Sequence, residues 1–467
     1  MHSKRSNTNR NEERLLILIH FYMIKIYDKF FCPIFEYLYL FVMVIYMAQM
    51  TPDTGRMVGS LSGNPVSFFI PIVLTIILLS RHPISFNHEK LWKFTSIMLL
   101  WSIAVCVKFH NFSSSNLSYY FFLIYAIFIA YIHVSIYGRD LFYIYEHIMV
   151  VLATISLILW GLHILLPFTD VFFHKFPETN TGHNVLYLYN WLDPSMTADY
   201  STSLRNAGCS WEPGRFAIML IPAIYVNLSR RGVAIFNNMK AIILLAALAS
   251  TMSTTGYSIA ILLYMFFWFK KITLEKGILF AVLVLPICVY LFSLDFMAEK
   301  IQERADYTGL TQKRLEQMEY HEEKDRDEYV GSLDRFESAA FDWMNFQKEP
   351  LLGYSRNRDY SWFRREISLN FELTGGLVKI FSQYGLFIGI LLYVILFLSS
   401  MKISKLFSNR YGLDFAIALL LCSVSYPIFC IPIFTAFWLY GLFCHKDDNH
   451  RKRILIGNIN NERVGLQ

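Results

Sequence analysis

A chain of 467 residues that is 55% hydrophobic, 17% aromatic and only 17% charged is too apolar for a soluble protein, since soluble domains carry about 25% charged residues. Its 41 Phe and 29 Tyr point to a protein dissolved in lipid. The formal charge of +6 is modest, and no Cys/His metal spacing or basic-aromatic patch suggests a nucleic-acid partner.

The first residues, MHSKRSNTNRNEER, are polar and basic, and no short apolar run with a small-residue cleavage site follows, so no cleaved signal peptide is expected. Leu15 to Phe31 is apolar but interrupted by Lys25, Asp28 and Lys29. It reads as an interfacial helix closing a cytoplasmic segment, 1–32, rather than as an extra crossing. A bilayer core of about 30 Å takes about 20 apolar residues per helix. Such runs lie near 33–50, 65–80, 92–108, 118–137 and 142–166, then near 214–229, 240–252, 256–269 and 277–293, and finally near 373–400, 412–427 and 429–444. Residues 240–269 read either as one long helix or as two short ones split at Ser253 to Gly256. Residues 412–444 pose the same question around Tyr426 and Pro427.

Basic residues arbitrate, because cytoplasmic flanks are rich in Lys and Arg. Arg230, Arg231 and Lys240 precede the first ambiguous region; Lys270, Lys271 and Lys276 follow it. Lys402, Lys405 and Arg410 precede the second; His445, Lys446, Arg451, Lys452 and Arg453 follow it. Two crossings fit each. The expected fold is an all-α polytopic membrane protein of about twelve transmembrane helices, with both termini cytoplasmic. Helices fill 33–166, 214–293 and 373–444, and 445–467 is a cytoplasmic tail. Two large hydrophilic loops, 167–213 and 294–372, then share the extracytoplasmic face. The charged stretch 299–328 reads as a solvated helix laced with ion pairs. No disulfide is expected from the seven cysteines, which show no paired spacing.

Four stretches gather the polar chemistry. RNAGCSWEPGRFAIML (Arg205 to Leu220) puts Arg205, Glu212 and Arg215 at the mouth of an apolar helix that starts near Pro213. Proline suits the first turn of a helix, and Gly214 leaves its backbone open. Free N–H groups, the positive end of the dipole and two arginines together suit a phosphate. A bland alternative is an arginine reaching for the interface with Glu212 as its salt-bridge partner. The second stretch, Asp334 to Arg365, begins with Arg335 and an amphipathic helix whose Phe336, Ala339, Ala340, Trp343 and Phe346 share one side. Pro350 and Gly353 then break it, and Tyr354, Arg356, Arg358, Tyr360, Trp362, Arg364 and Arg365 follow. In the third, Ser368 to Gly385, Asn370 and Glu372 sit at a helix mouth and Lys379 about two turns inside, facing protein or a cavity. The fourth, STMSTTGYS (Ser250 to Ser258), is a small polar hinge; close helix packing explains it equally well.

RNAGCSWEPGRFA resembles the Arg-x-x-Gly…Glu-Pro-Gly-x-Phe-Ala signature of O-antigen and capsular polysaccharide polymerases (Wzy-type). DRFESAAFDWMNFQKEPLLGYS resembles the large-loop motif of the wider polymerase/O-antigen ligase superfamily. STMSTTGYS is similar to its serine-rich hinge, and NFELTGGLVKIFSQYGLFIGILL to the segment that re-enters the membrane. Order and spacing agree over about residues 200–445; the first 200 match only as membrane helices. One departure stands out: ligases carry a His-Asn pair before the re-entering helix, and here Leu369 precedes Asn370.

The resemblance implies a C-type glycosyltransferase of the bacterial inner (plasma) membrane, working at its outer face without cofactor or metal. The implied partners are an undecaprenyl-pyrophosphate-linked glycan, the bilayer and a chain-length regulator. The expected reaction polymerises lipid-linked repeat units into O-antigen or capsule. Arg205, Arg215 and Arg335 would neutralise the pyrophosphate leaving group. The base would be Glu212 first, Glu372 second and Asp334 third. Gly208, Pro213, Gly214, Asp334, Tyr354, Arg356, Asn370 and Lys379 would line the substrate. The alternatives are a ligase, disfavoured by the missing His-Asn pair, and a polysaccharide flippase. A transporter would place its polar groups at mid-membrane and show inverted repeats, neither of which the chain displays.

Overall fold

The computed structural model of the protein describes residues 33–47, 65–86, 88–110, 112–166, 174–175, 183–186, 189–192, 205–210, 212–269, 335–355, 360–362, 376–407 and 412–444. The expected interfacial helix, the span at 277–293, both tails and most of the two hydrophilic loops lie outside these residues.

The structure is mainly helical. In chain order come α1 (Ile34–Val42, running on into a π-turn, Met43–Met47), α2 (Pro65–Arg81), α3 (Glu89–Lys108), α4 (Ser114–Tyr137) and α5 (Asp140–Leu165). Then follow α6 (Pro213–Arg231), α7 (Met239–Ser250), α8 (Thr254–Phe269), α9 (Arg335–Lys348), α10 (Leu377–Leu406) and α11 (Asp414–Ser425). A 3₁₀ turn at Ile428–Cys430 leads to α12 (Pro432–Trp438) and α13 (Tyr440–Phe443). Among the described residues, four helices are long and apolar enough to cross a membrane: Glu89–Lys108, Leu117–Tyr137, Asp140–Leu165 and Leu377–Leu406. Several shorter apolar helices pack among them. Ile76, Leu100, Ile103, Phe121 and Phe387 stay exposed on their outer faces, as lipid contact requires.

Hydrogen bonds and ring contacts fix the direction of each helix. Around α6, Glu146 of α5 meets Asn227 and Arg230, whereas Ser156 of α5 meets Asn206, just before α6 begins. α5 therefore runs antiparallel to α6. At the start of α7, Asn238 bonds Asn227, and at its end Ser250 bonds Asn206. α8 then returns, with Gly256 against Ala217 and Phe267 against Tyr225. The two short helices thus pass α6 in opposite directions, which resolves the reading of 240–269 in favour of two helices. α11 runs from Asp414, bonded to Tyr225, up to Ser425, bonded to Thr255; α12 and α13 go back, with Gly441 against Ser399. The break predicted at Tyr426 and Pro427 is there, but 429–444 is a 3₁₀ turn and two short helices rather than one span.

α6 is the axis of the bundle. From Pro213 to Leu228 every residue except Arg215 is buried, the pattern of a helix apolar all round and enclosed by its neighbours. Pro213 occupies its first turn as expected, and Gly232 ends it. The two ends of the bundle differ in charge. One gathers Arg81, Arg230, Arg231, Lys240, Lys402 and Lys405 at helix ends. At the other, the ends of α3, α5, α7 and α11 meet the starts of α6, α8 and α10.

One departure from an all-helical chain lies within the first hydrophilic loop. Strands β1 (His174–Lys175), β2 (His183–Leu186) and β3 (Tyr189–Leu192) form a small antiparallel sheet, with His183 opposite Leu192 and Leu186 opposite Tyr189. Strand pairing satisfies the backbone of a segment too short and polar to form a helix of its own.

Candidate active site

The stretch before α6 is held by buried polar bonds. Asn206, with no exposed surface, donates its Nδ2 hydrogens to Ser156 Oγ (3.2 Å) and Ser250 Oγ (2.9 Å). Its Oδ1 accepts the Gly208 N–H at 2.8 Å, and its own N–H donates to the Ser250 carbonyl at 2.9 Å. Gly208 has φ +56°, and a Cβ there would lie 2.6 Å from the Phe216 ring, so the close approach of loop to helix needs glycine. Asn190 of β3 donates its N–H to the Gly208 carbonyl (2.7 Å) and its Nδ2 to the Ser210 carbonyl (3.1 Å). Gly208 packs closely on α6, and the sheet is tied to the signature loop.

Arg205 turns to the hinge, its Nε donating to the Thr251 carbonyl at 3.0 Å. The RNAGC and STMST stretches, separate in sequence, therefore form one layer. Glu212 is the residue before α6, extended and without a side-chain cap bond. Its Oε1 lies 3.6 Å from Arg215 Nε, with both side chains more than a third exposed. The guanidinium of Arg215 also lies over the Tyr426 ring, 5.1 Å from its centroid. A cation–π contact of this kind leaves the N–H donors of the guanidinium for an anion. Pro213 and Gly214 are buried beneath them.

A second layer joins α9 to α10. The helix at 335–348 buries Ser338, Phe341, Asp342 and Asn345 rather than the expected apolar side; Trp343 is 48% exposed. The reason is the partner surface, an opened backbone that offers carbonyls and hydroxyls instead of lipid. α10 breaks at Gly385 (φ 73°, ψ 179°), where a Cβ would collide with the Leu351 carbonyl. Into this break fits the turn after α9: Tyr354 N–H donates to the Ser382 carbonyl and Ser355 N–H to the Gln383 carbonyl (both 2.9 Å), and Leu386 N–H donates back to the Pro350 carbonyl at 2.7 Å. The Pro-x-x-Gly turn and α10 are one interlocked unit. Tyr354 is buried with its OH donating to Asp342, and so forms part of this lock. Gly385→Ala should therefore loosen the turn from α10, at about 1–3 kcal/mol of backbone strain alone. Limited proteolysis between α9 and α10 checks it: equal protection of variant and parent would contradict the lock.

The two layers meet at Tyr426 and Pro427. The backbone of Gly376, just before α10, lies against the carbonyls of Ser423 and Tyr426, leaving no room for a Cβ. Beside this contact is a small cavity lined by Lys379, Gln383, Tyr384, Ser423 and Phe429. Lys379 sits in the first turn of α10, shallower than its expected depth, because the helix starts at Leu377. Arg215 and Lys379 thus flank the same turn of chain.

Sequence reasoning missed the contribution of the first helices. Trp101 of α3 donates its indole N–H to the Leu352 carbonyl (2.9 Å), Lys108 pairs with Glu349, and Tyr120 of α4 donates to Ser355 Oγ (3.0 Å). Phe109 stacks on Tyr360 with centroids 4.4 Å apart. These helices buttress the turn at 350–355, and nothing local in their sequence signals it. Asp342 and Asn206 were not singled out either, and Tyr426 was read only as a break in the chain. Arg335 opens α9; Asp334, Arg356, Asn370 and Glu372 lie outside the described residues. Comparison with known protein families and with curated proteins finds no match to this chain.

Proposed function

We propose that the protein is a membrane glycosyltransferase that polymerises undecaprenyl-pyrophosphate-linked repeat units into O-antigen or capsular polysaccharide. The observation that carries this reading is the convergence of three separate sequence stretches on the Tyr426–Pro427 break, with the fourth, 335–355, docked on α10 at Gly385, at the bundle end opposite the lysine- and arginine-rich helix ends. By the positive-inside rule the basic end is cytoplasmic, so the convergent site faces outward, with about twelve crossings and both termini inside. A pyrophosphate leaves readily once its charge is held, and this end offers Arg215, Arg205 and Lys379 beside the uncapped start of the central helix. Glu212, beside Arg215 and open to the outside, is the base for the acceptor hydroxyl.

Deletion of the gene in its host tests the reading. A polymerase loss leaves single-repeat glycan on the surface and abolishes the ladder of longer chains. Loss of all surface glycan with polymer kept on its lipid would mean a ligase, and lipid-linked units trapped inside would mean a flippase.

A further inference from the structure

Arg139 is a cation that the fold holds but does not neutralise. The turn between α4 and α5 is only Gly138 and Arg139, so its backbone cannot swing away. Arg139 stands just before the first turn of α5, where the helix dipole is positive and disfavours a cation. Its half-buried side chain lies over two rings. The guanidinium carbon is 5.2 Å from the centroid of Tyr143 and 5.6 Å from that of Phe407, at the end of α10. Among the described residues it pairs with no carboxylate, and its Nε is buried without a hydrogen-bond partner. A ring face attracts a guanidinium but carries no countercharge.

A second arginine shares the same ring. The guanidinium carbon of Arg230, from the end of α6, is 4.4 Å from the Tyr143 centroid. Arg230 Nη1 donates to Glu146 Oε2 (2.6 Å), and Glu146 Oε1 accepts from Asn227 (2.7 Å), so this buried carboxylate is already taken up. Asp140 in the first turn of α5 and Arg231 in the last turn of α6 add one charge of each sign. A positive charge is left over at this corner, and two guanidinium groups around one ring repel each other strongly in a half-buried setting. An anion bound to both relieves that repulsion. Forked N–H donors match the oxygens of a phosphate, and basic pockets between membrane helices suit phosphate headgroups.

We propose that Arg139 and Arg230, set around Tyr143, form an anion site at the basic end of the bundle that takes a phosphate group. The site lies at the end opposite the proposed transfer site and does not depend on the polymerase reading. The phosphodiester of an anionic phospholipid and free inorganic phosphate share the recognised chemistry.

The test uses the full chain, purified with its lipids exchanged for phosphatidylglycerol or phosphatidylcholine, with bound lipid counted by native mass spectrometry. Binding of inorganic phosphate is measured in parallel against chloride at equal ionic strength. A parent protein that keeps phosphatidylglycerol over phosphatidylcholine assigns the site to a lipid headgroup; phosphate binding without that preference assigns it to the free ion. In either case Arg139→Gln should weaken binding about tenfold, the loss of one charged hydrogen bond. Arg139→Lys should recover only part, because an ammonium presents no fork. Tyr143→Leu, which keeps both arginines but removes the ring that gathers them, should weaken binding severalfold. Lys93→Gln, an exposed cation near the start of α3 at the same end, should change nothing. Binding unchanged in Arg139→Gln overturns the proposal, as does an equal loss in Lys93→Gln, which would reduce the effect to diffuse surface charge. So does a parent protein that neither prefers phosphatidylglycerol nor binds phosphate. The thermal transition of each variant separates these results from misfolding, and Arg139→Lys keeps the test open if Arg139→Gln does not fold.

Discussion

Asn206→Asp should unfold the mouth of the central helix, with a loss of about 3–5 kcal/mol, the cost of an uncompensated buried charge. The size follows from who donates to whom. Ser156 Oγ already gives its proton to the Ala153 carbonyl (2.9 Å), and Ser250 Oγ gives its own to the Ala247 carbonyl (2.8 Å). Both hydroxyls therefore meet Asn206 as acceptors, and only an amide nitrogen can satisfy them. An aspartate would set a carboxylate oxygen against two lone pairs at a fully buried position. The neighbouring Oδ1 bond to the Gly208 N–H would survive, but not enough to offset this. Thermal unfolding of purified protein in detergent measures the loss. Ser156→Ala, which removes one acceptor, should cost only about 1 kcal/mol, the net worth of a hydrogen bond. Equal transitions for Asn206→Asp and the parent would show that the loop is not anchored there.

Arg215→Ala should leave the protein folded and remove chain extension by a factor of about 10²–10³, the usual loss when one charge-stabilising donor is taken from a transition state. Arg215 is the only residue of α6 between Pro213 and Leu228 that is not buried, so its removal opens no cavity. Its contacts, the Tyr426 ring and Glu212, hold the guanidinium in place without consuming it. Arg215→Lys should recover little, because an ammonium neither stacks flat on the ring nor presents a fork. Glu212→Gln separates two roles for its partner. As the base, its loss should lower the transfer rate by about 10²–10⁴ while donor binding stays. A drop no larger than about threefold would reduce Glu212 to a clamp for the arginine, which at an exposed pair is worth little. The readout is repeat-unit transfer by purified protein, with chain-length ladders in a complemented deletion strain as the cellular counterpart.

The membrane class and most helix positions were legible in the sequence, because apolar run length and basic flanks are local properties. So was the start of the central helix: Pro213 marks a first turn wherever it sits. The Pro350–Gly353 turn and the Tyr426–Pro427 break were visible as punctuation but not as partners; the break at Gly385 was not. Burial on α9 was misjudged, because the aromatic stripe of Phe336, Trp343 and Phe346 suits an apolar neighbour and the true neighbour is an opened, polar backbone.

What a single segment determines is its own periodicity, its ends and its preference for lipid or water. Tertiary structure alone decided that Arg205 meets Thr251, that Trp101 reaches Leu352, and that Ser382 donates to Asp342. Each of these joins residues tens to hundreds of positions apart. Which donors and acceptors pair is set by where whole helices pack, and no stretch of chain carries that information alone.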